Sequence, residues 1–69
     1  MARFQPITVE IDHVRYTGAY EAQGKDAIRV TSDHGGGDVV VQLGRYDAEA
    51  AARNALEDLV KAWLKRRHG

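Results

Sequence analysis

Asp47-Ala-Glu-Ala-Ala-Ala-Arg-Asn-Ala-Leu-Glu-Asp-Leu-Val-Lys-Ala-Trp-Leu-Lys-Arg-Arg67 decides the fold of this chain. Within it Ala48, Ala52, Ala55, Leu56, Leu59, Val60, Trp63 and Leu64 recur at helical spacing and make one apolar stripe. Asp47 stands where a helix N-cap accepts from the first free backbone N–H groups. Glu49–Arg53, Arg53–Glu57 and Glu57–Lys61 are i,i+4 pairs for the exposed side, each worth a few tenths of a kcal/mol. A helix with one apolar stripe needs a surface to cover, and everything upstream reads as strands.

Working back from Asp47, Gly44 ends a β-branched run, Val39-Val40-Val41-Gln42-Leu43, whose composition predicts a central or well-covered strand. Ser32-Asp33-His34-Gly35-Gly36-Gly37-Asp38 is a loop, and its glycines favour a mobile hairpin connection. Ile28 and Val30 alternate with Arg29 and Thr31, and Gln23-Gly24-Lys25-Asp26 is a turn by composition. Further upstream the apolar set changes phase. Ile7, Val9 and Ile11 are odd-numbered, whereas Val14, Tyr16, Tyr20 and Ala22 are even-numbered. One inserted residue keeps both sets on one face, so a β-bulge or sharp bend is expected at Asp12-His13, with Gly18 a place for a second bend. Pro6 suits the start of an edge strand because it has no N–H to donate.

The expected fold is α+β: an antiparallel three-stranded meander, its first strand long and bent, packed on one C-terminal α-helix (β-β-β-α). It forms a single domain over 1–69, with 1–5 a disordered tail, 7–43 the sheet and 47–67 the helix. A hairpin with residues 27–33 pairs only the later half of the long first strand. Residues 7–12 must therefore fold back against the third strand or pair with another copy of the chain.

The chain has 69 residues, and at roughly 60 residues a domain buries only about 60% of the surface its unfolded chain exposes. Dimerisation is the expected supplement, with Ile7, Val9 and Ile11, then Trp63 and Leu64, as self-association residues and plain core membership as their other reading. There is no cysteine, which excludes disulfides and thiolate metal sites. No apolar run approaches the roughly 20 residues that span a bilayer, and the first residues have no signal-peptide core, so a soluble, cytoplasmic protein is expected.

Candidate chemistry is sparse. Glu10, Asp12 and His13 are the nearest thing to a metal or acid–base cluster, but carboxylates on an outward strand face read as a solvated face, and no second ligand set follows. Asp33, His34 and Asp38 bracket glycines without the lysine and following helix of a phosphate loop. Ser32 is the only serine and lacks a nucleophile-elbow context. These readings predict no enzyme, no metal, no cofactor and no identifiable small-molecule ligand.

Ten basic and ten acidic side chains balance, unevenly along the chain. Arg53, Lys61, Lys65, Arg66 and Arg67 collect on the helix, where cations at the C-terminus complement the macrodipole. Leu43-Gly44-Arg45-Tyr46-Asp47, followed by an alanine-rich helix, resembles the strand-to-helix junction of the three-stranded-sheet DNA-binding domains of plant ethylene-response factors and phage integrases. That resemblance implies a sheet laid in the major groove, with Arg15, Arg29, Arg45, Lys61, Lys65, Arg66 and Arg67 available to a nucleic acid. Gly44, Glu49-Ala50, Asn54-Ala55 and Trp63-Leu64 are similar to the last helix of HicB-type antitoxins. Against a polyanion, the helix-free face also carries Glu10, Asp12 and Glu21. The leading expectation is a non-catalytic, self-associating interaction module, with nucleic-acid binding as the alternative.

Overall fold

The computed structural model describes residues 4–35 and 37–68. Four strands, β1 (Gln5–Ile11), β2 (Val14–Ala22), β3 (Ala27–Ser32) and β4 (Asp38–Gln42), form one antiparallel sheet in the order β1-β2-β3-β4. One helix, α1 (Ala48–His68), packs across it. The class is the expected α+β, a meander under a C-terminal helix, with four strands where three were expected. Of the tail expected over 1–5, residues 1–3 lie outside the described residues, and Gln5 already belongs to β1.

The extra strand comes from Asp12-His13. Both residues have positive φ, 52° and 67°, and Ile11 pairs directly with Val14. Two consecutive left-handed residues between paired strands make a two-residue hairpin of the I′ kind, whose twist matches that of the strands. The expected bulge is therefore a chain reversal. The phase change has the same origin: in this register odd residues face even ones, Ile7 against Gly18 and Val9 against Tyr16. Cross-strand partners share a face, so both apolar sets reach the helix side without an insertion. Residues 7–11 pair with 14–18 of their own chain, in place of the third strand.

The other connections follow the sequence more closely. Gln23 to Asp26 joins β2 to β3, and Asp33 to Gly37 joins β3 to β4. Asp47 caps α1, its Oδ2 accepting the Ala50 N–H at 3.2 Å. Glu49–Arg53 at 3.3 Å and Glu57–Lys61 at 2.9 Å line the exposed side of the helix.

The core is Ile7, Ile28, Val30, Ala52, Ala55, Leu56 and Val60, with Val30, Ala52, Leu56 and Val60 fully sealed. All eight residues of the apolar stripe are in or against this cluster. Gly18, expected at a bend, serves close approach instead. A Cβ there would lie 2.5 Å from the Thr31 carbonyl oxygen and 2.8 Å from Leu56 Cδ1, so only hydrogen lets Leu56 settle onto β2.

The Val39–Val41 run is not a covered central strand. It is the edge strand β4, with Val39 and Val40 exposed. The reasons are face and position. Val40 points to the side of the sheet that carries no helix, and Val39 stands at the start of an outermost strand with no neighbouring strand on one side.

Candidate interaction surface

The residues expected at a self-association surface lie in or against the core. Ile7 is buried, and Val9, Ile11, Trp63 and Leu64 are partly buried against the core. Four of the five thus keep part of their side chains in solvent while packing against the core. The N–H and C=O groups of Ile7, Val9 and Ile11 also face β2. In a two-residue hairpin the pair flanking the turn, Ile11–Val14, exchanges both backbone bonds, and every second residue back along β1 does the same. The groups left at that edge belong to Pro6, Thr8 and Glu10, and Pro6 has no N–H.

The cations fall into two sets on opposite sides of the sheet. Arg15 and Arg29 are on the open face, away from α1, and each stands beside a carboxylate. Arg15 pairs across the strands with Glu10, and Arg29 with Glu21. Arg29 also binds Asp38, with Nε 2.6 Å from Oδ2 and a guanidinium nitrogen on the same oxygen. On the helix, Lys61 binds Glu57, and Arg67 lies over the Trp63 ring, 4.9 Å from its centroid. Lys65 and Arg66 are exposed on the last turns, and Arg45 lies in the β4–α1 connection. The hydrogen bond to Glu57, then its charge, raises the Lys61 pKa above the ordinary lysine value of 10.5.

At the first hairpin, His13 Nδ1 is 3.9 Å from Glu10, with both side chains in solvent. The glycine loop is tied at its start. Thr17 Oγ1 donates to Asp33 Oδ2 at 2.9 Å, and the Thr17 N–H donates to His34 Nε2 at 3.2 Å. The His34 ring meets Tyr16 edge-on, with centroids 5.2 Å apart, and Trp63 at 6.2 Å. A Cβ on Gly35, whose φ is +98°, would fall 2.8 Å from the Trp63 Nε1, so this glycine lets the loop close over the indole. With Nε2 accepting from the Thr17 N–H, Nδ1 is the ring nitrogen left to donate. These contacts stitch the loop to β2 and α1 and are structural in kind.

The surface that sequence reasoning passed over is at β4. Its ladder to β3 alternates, and two backbone bonds beyond the strand ends set the phase: the Leu43 N–H donates to Asp26 O, and the Ser32 N–H donates to Gly37 O. Those pairs continue the register Val41–Ile28 and Val39–Val30, so residues 39 and 41 face β3. The N–H and C=O groups of Asp38, Val40 and Gln42 therefore point away from the sheet, all three on non-proline residues. Beside this edge runs a groove between β4 and α1. One hollow of about 370 Å³ lies by Val41, Tyr46, Ala51 and Asn54. A second, of about 210 Å³, lies by Val39, Leu59 and Ala62. The two share Val41, Ala55 and Asp58 and so adjoin. Small alanines on this flank of α1 keep the groove open, and Tyr46 stands at its margin 78% exposed, whereas Val40, 53% exposed, lies on the opposite, open face of the edge strand. The signal in the sequence was three successive valines without a lysine or proline among them, which describes an unguarded edge as well as a covered strand.

Among the described residues no helix is long and apolar enough to cross a membrane. Comparison with protein families, curated proteins and solved structures finds no match to this chain.

Proposed function

We propose that this chain is a non-catalytic interaction module that works by strand addition, receiving an extended partner segment on the open edge of β4. The observation that carries the reading is the phase of the β3–β4 ladder. It turns the backbone groups of Asp38, Val40 and Gln42 outward beside an apolar groove. Main-chain hydrogen bonds supply affinity in such docking, and pockets for alternate side chains supply selectivity. Here the groove takes the side chains that fall on the helix side, while those on the open face meet Val40 and the Arg29–Asp38 pair.

Val40→Pro tests the edge cleanly. Proline removes an N–H that faces outward and leaves the bonds of Val39 and Val41 to β3 untouched. An array of eight-residue peptides with alternating apolar and polar residues is read against the wild-type protein and this variant. The expected result is retention of apolar-alternating peptides by the wild type and their loss with Val40→Pro, at an unchanged melting temperature. Equal retention by both proteins, or by neither, overturns the reading. A duplex DNA probe in the same assay serves the rival function: retention at low salt that falls steeply with added salt marks a nucleic-acid binder.

A further inference from the structure

Resting on that reading, we infer that the segment docking on the β4 edge is β4 of a second copy, paired antiparallel about a two-fold axis at Val40. An isologous pair demands a self-complementary strand, because each residue must suit its symmetry mate. In antiparallel pairing, outward-facing residues must oppose outward-facing residues. Val40 against Val40, with Asp38 against Gln42 on either side, is the two-fold register that matches all three outward residues of both copies. Each copy then donates three N–H groups to the other, from Asp38, Val40 and Gln42.

The side chains agree with the backbone. Val40 meets Val40 on the open face, Val39 meets Val41 on the helix side, and Asp38 faces Gln42, so no like charges stand opposite one another. The charges around the strand do not oppose this direction. Asp33 precedes it, Asp38 at its start is already held by Arg29, and Arg45 follows its end, so antiparallel pairing carries the arginine of each copy towards the end where Asp33 and Asp38 stand in the other. On the helix side the valines of two strands continue one apolar floor between the two helices, joining the grooves that Ala55 and Leu59 flank.

The opposite edge makes a poorer partner for its own copy. Centring a two-fold at Thr8 sets Pro6 against Glu10, and each copy then donates only two N–H groups, from Thr8 and Glu10. That edge is blunted and β4 is not, which assigns the contact to one side of the molecule.

The absence of cysteine makes the test direct, because any thiol introduced is unique. Residues of a hydrogen-bonded antiparallel pair have Cα atoms about 5.5 Å apart, within the range a disulfide spans. Val40→Cys is therefore expected to join two copies on diamide oxidation. Gln42→Cys is the first control, since its symmetry mate lies four strand residues away, about 13 Å. Thr8→Cys, at the centre of the other edge, is the second. The expected result is at least tenfold faster cross-linking of Val40→Cys than of either control. Sedimentation of the wild type should give a concentration-dependent dimer that Val40→Pro abolishes. Cross-linking that is equal at the three positions, or fastest at Thr8→Cys, overturns the inference. A wild type that stays monomeric at several hundred micromolar also overturns it. If the peptide array still distinguishes wild type from Val40→Pro in those cases, strand addition stands with a different partner; if it does not, both fall.

Discussion

Gly18 and Leu56 are the two residues on which the packing turns, because the helix reaches β2 only where a side chain is missing. Thr31 O, the nearer obstacle to a Cβ at position 18, is backbone within the β2–β3 ladder and cannot swing aside. Gly18→Ala is therefore expected to destabilise the fold by about 1–3 kcal/mol, the range for forcing extra volume into a packed core. A chemical-denaturation midpoint measures it. An unchanged midpoint would mean that Leu56 does not rest on β2. The sequence pattern marks Leu56 as core but leaves Gly18 ambiguous, since a glycine within a strand signals a bend or a close approach equally.

At the scale of elements, the first hairpin and the helix differ in how plainly their sequences speak. Asp12-His13 adopts the conformation that asparagine and glycine hold most easily, and left-handed backbone costs an ordinary residue roughly 1–2 kcal/mol. His13→Gly relieves that strain, offset in part by the freedom glycine adds to the unfolded chain. A rise of about 0.5–1 kcal/mol is expected, several degrees in the melting temperature of a domain this small. A bulge whose first residue is near the right-handed region would give no such gain. In α1 the cap, the stripe and two of the three expected ion pairs are where the spacing puts them, because these interactions lie within a few residues. The Glu57–Lys61 pair has a pH signature. With the Lys61 pKa raised in the folded state, its contribution is complete below the ordinary value of 10.5 and fades as pH rises through the higher folded value. The melting-temperature difference between wild type and Lys61→Met should be flat from pH 6 to pH 9 and shrink under strongly alkaline conditions.

For the whole molecule, the two edges of the sheet set what the surface can do. Val41→Pro and Val40→Pro change neighbouring, chemically identical residues, yet one N–H faces β3 and the other faces out. Val41→Pro removes a ladder bond and should unfold much of a protein whose stability, at roughly 0.05–0.15 kcal/mol per residue, leaves little reserve. Val40→Pro should melt like the wild type. Circular dichroism on the pair checks the phase of the ladder independently of any partner, and equal melting temperatures would refute it.

Asp47 to Arg67, read alone, determined that a capped amphipathic helix closes the chain and that a sheet must lie beneath it, because helical periodicity and capping are local. The turn at Gln23 to Asp26 and the alternation of β3 were legible for the same reason. Only the tertiary structure decided that Asp12-His13 reverses the chain. A change of apolar phase is satisfied by an inserted residue or by a two-residue hairpin, and the choice depends on where residues 7–11 find their hydrogen bonds. It also decided that Val39 to Val41 form an edge. Composition reports how well a residue suits a strand, whereas coverage depends on the order of the strands and on which face of the sheet the single helix occupies.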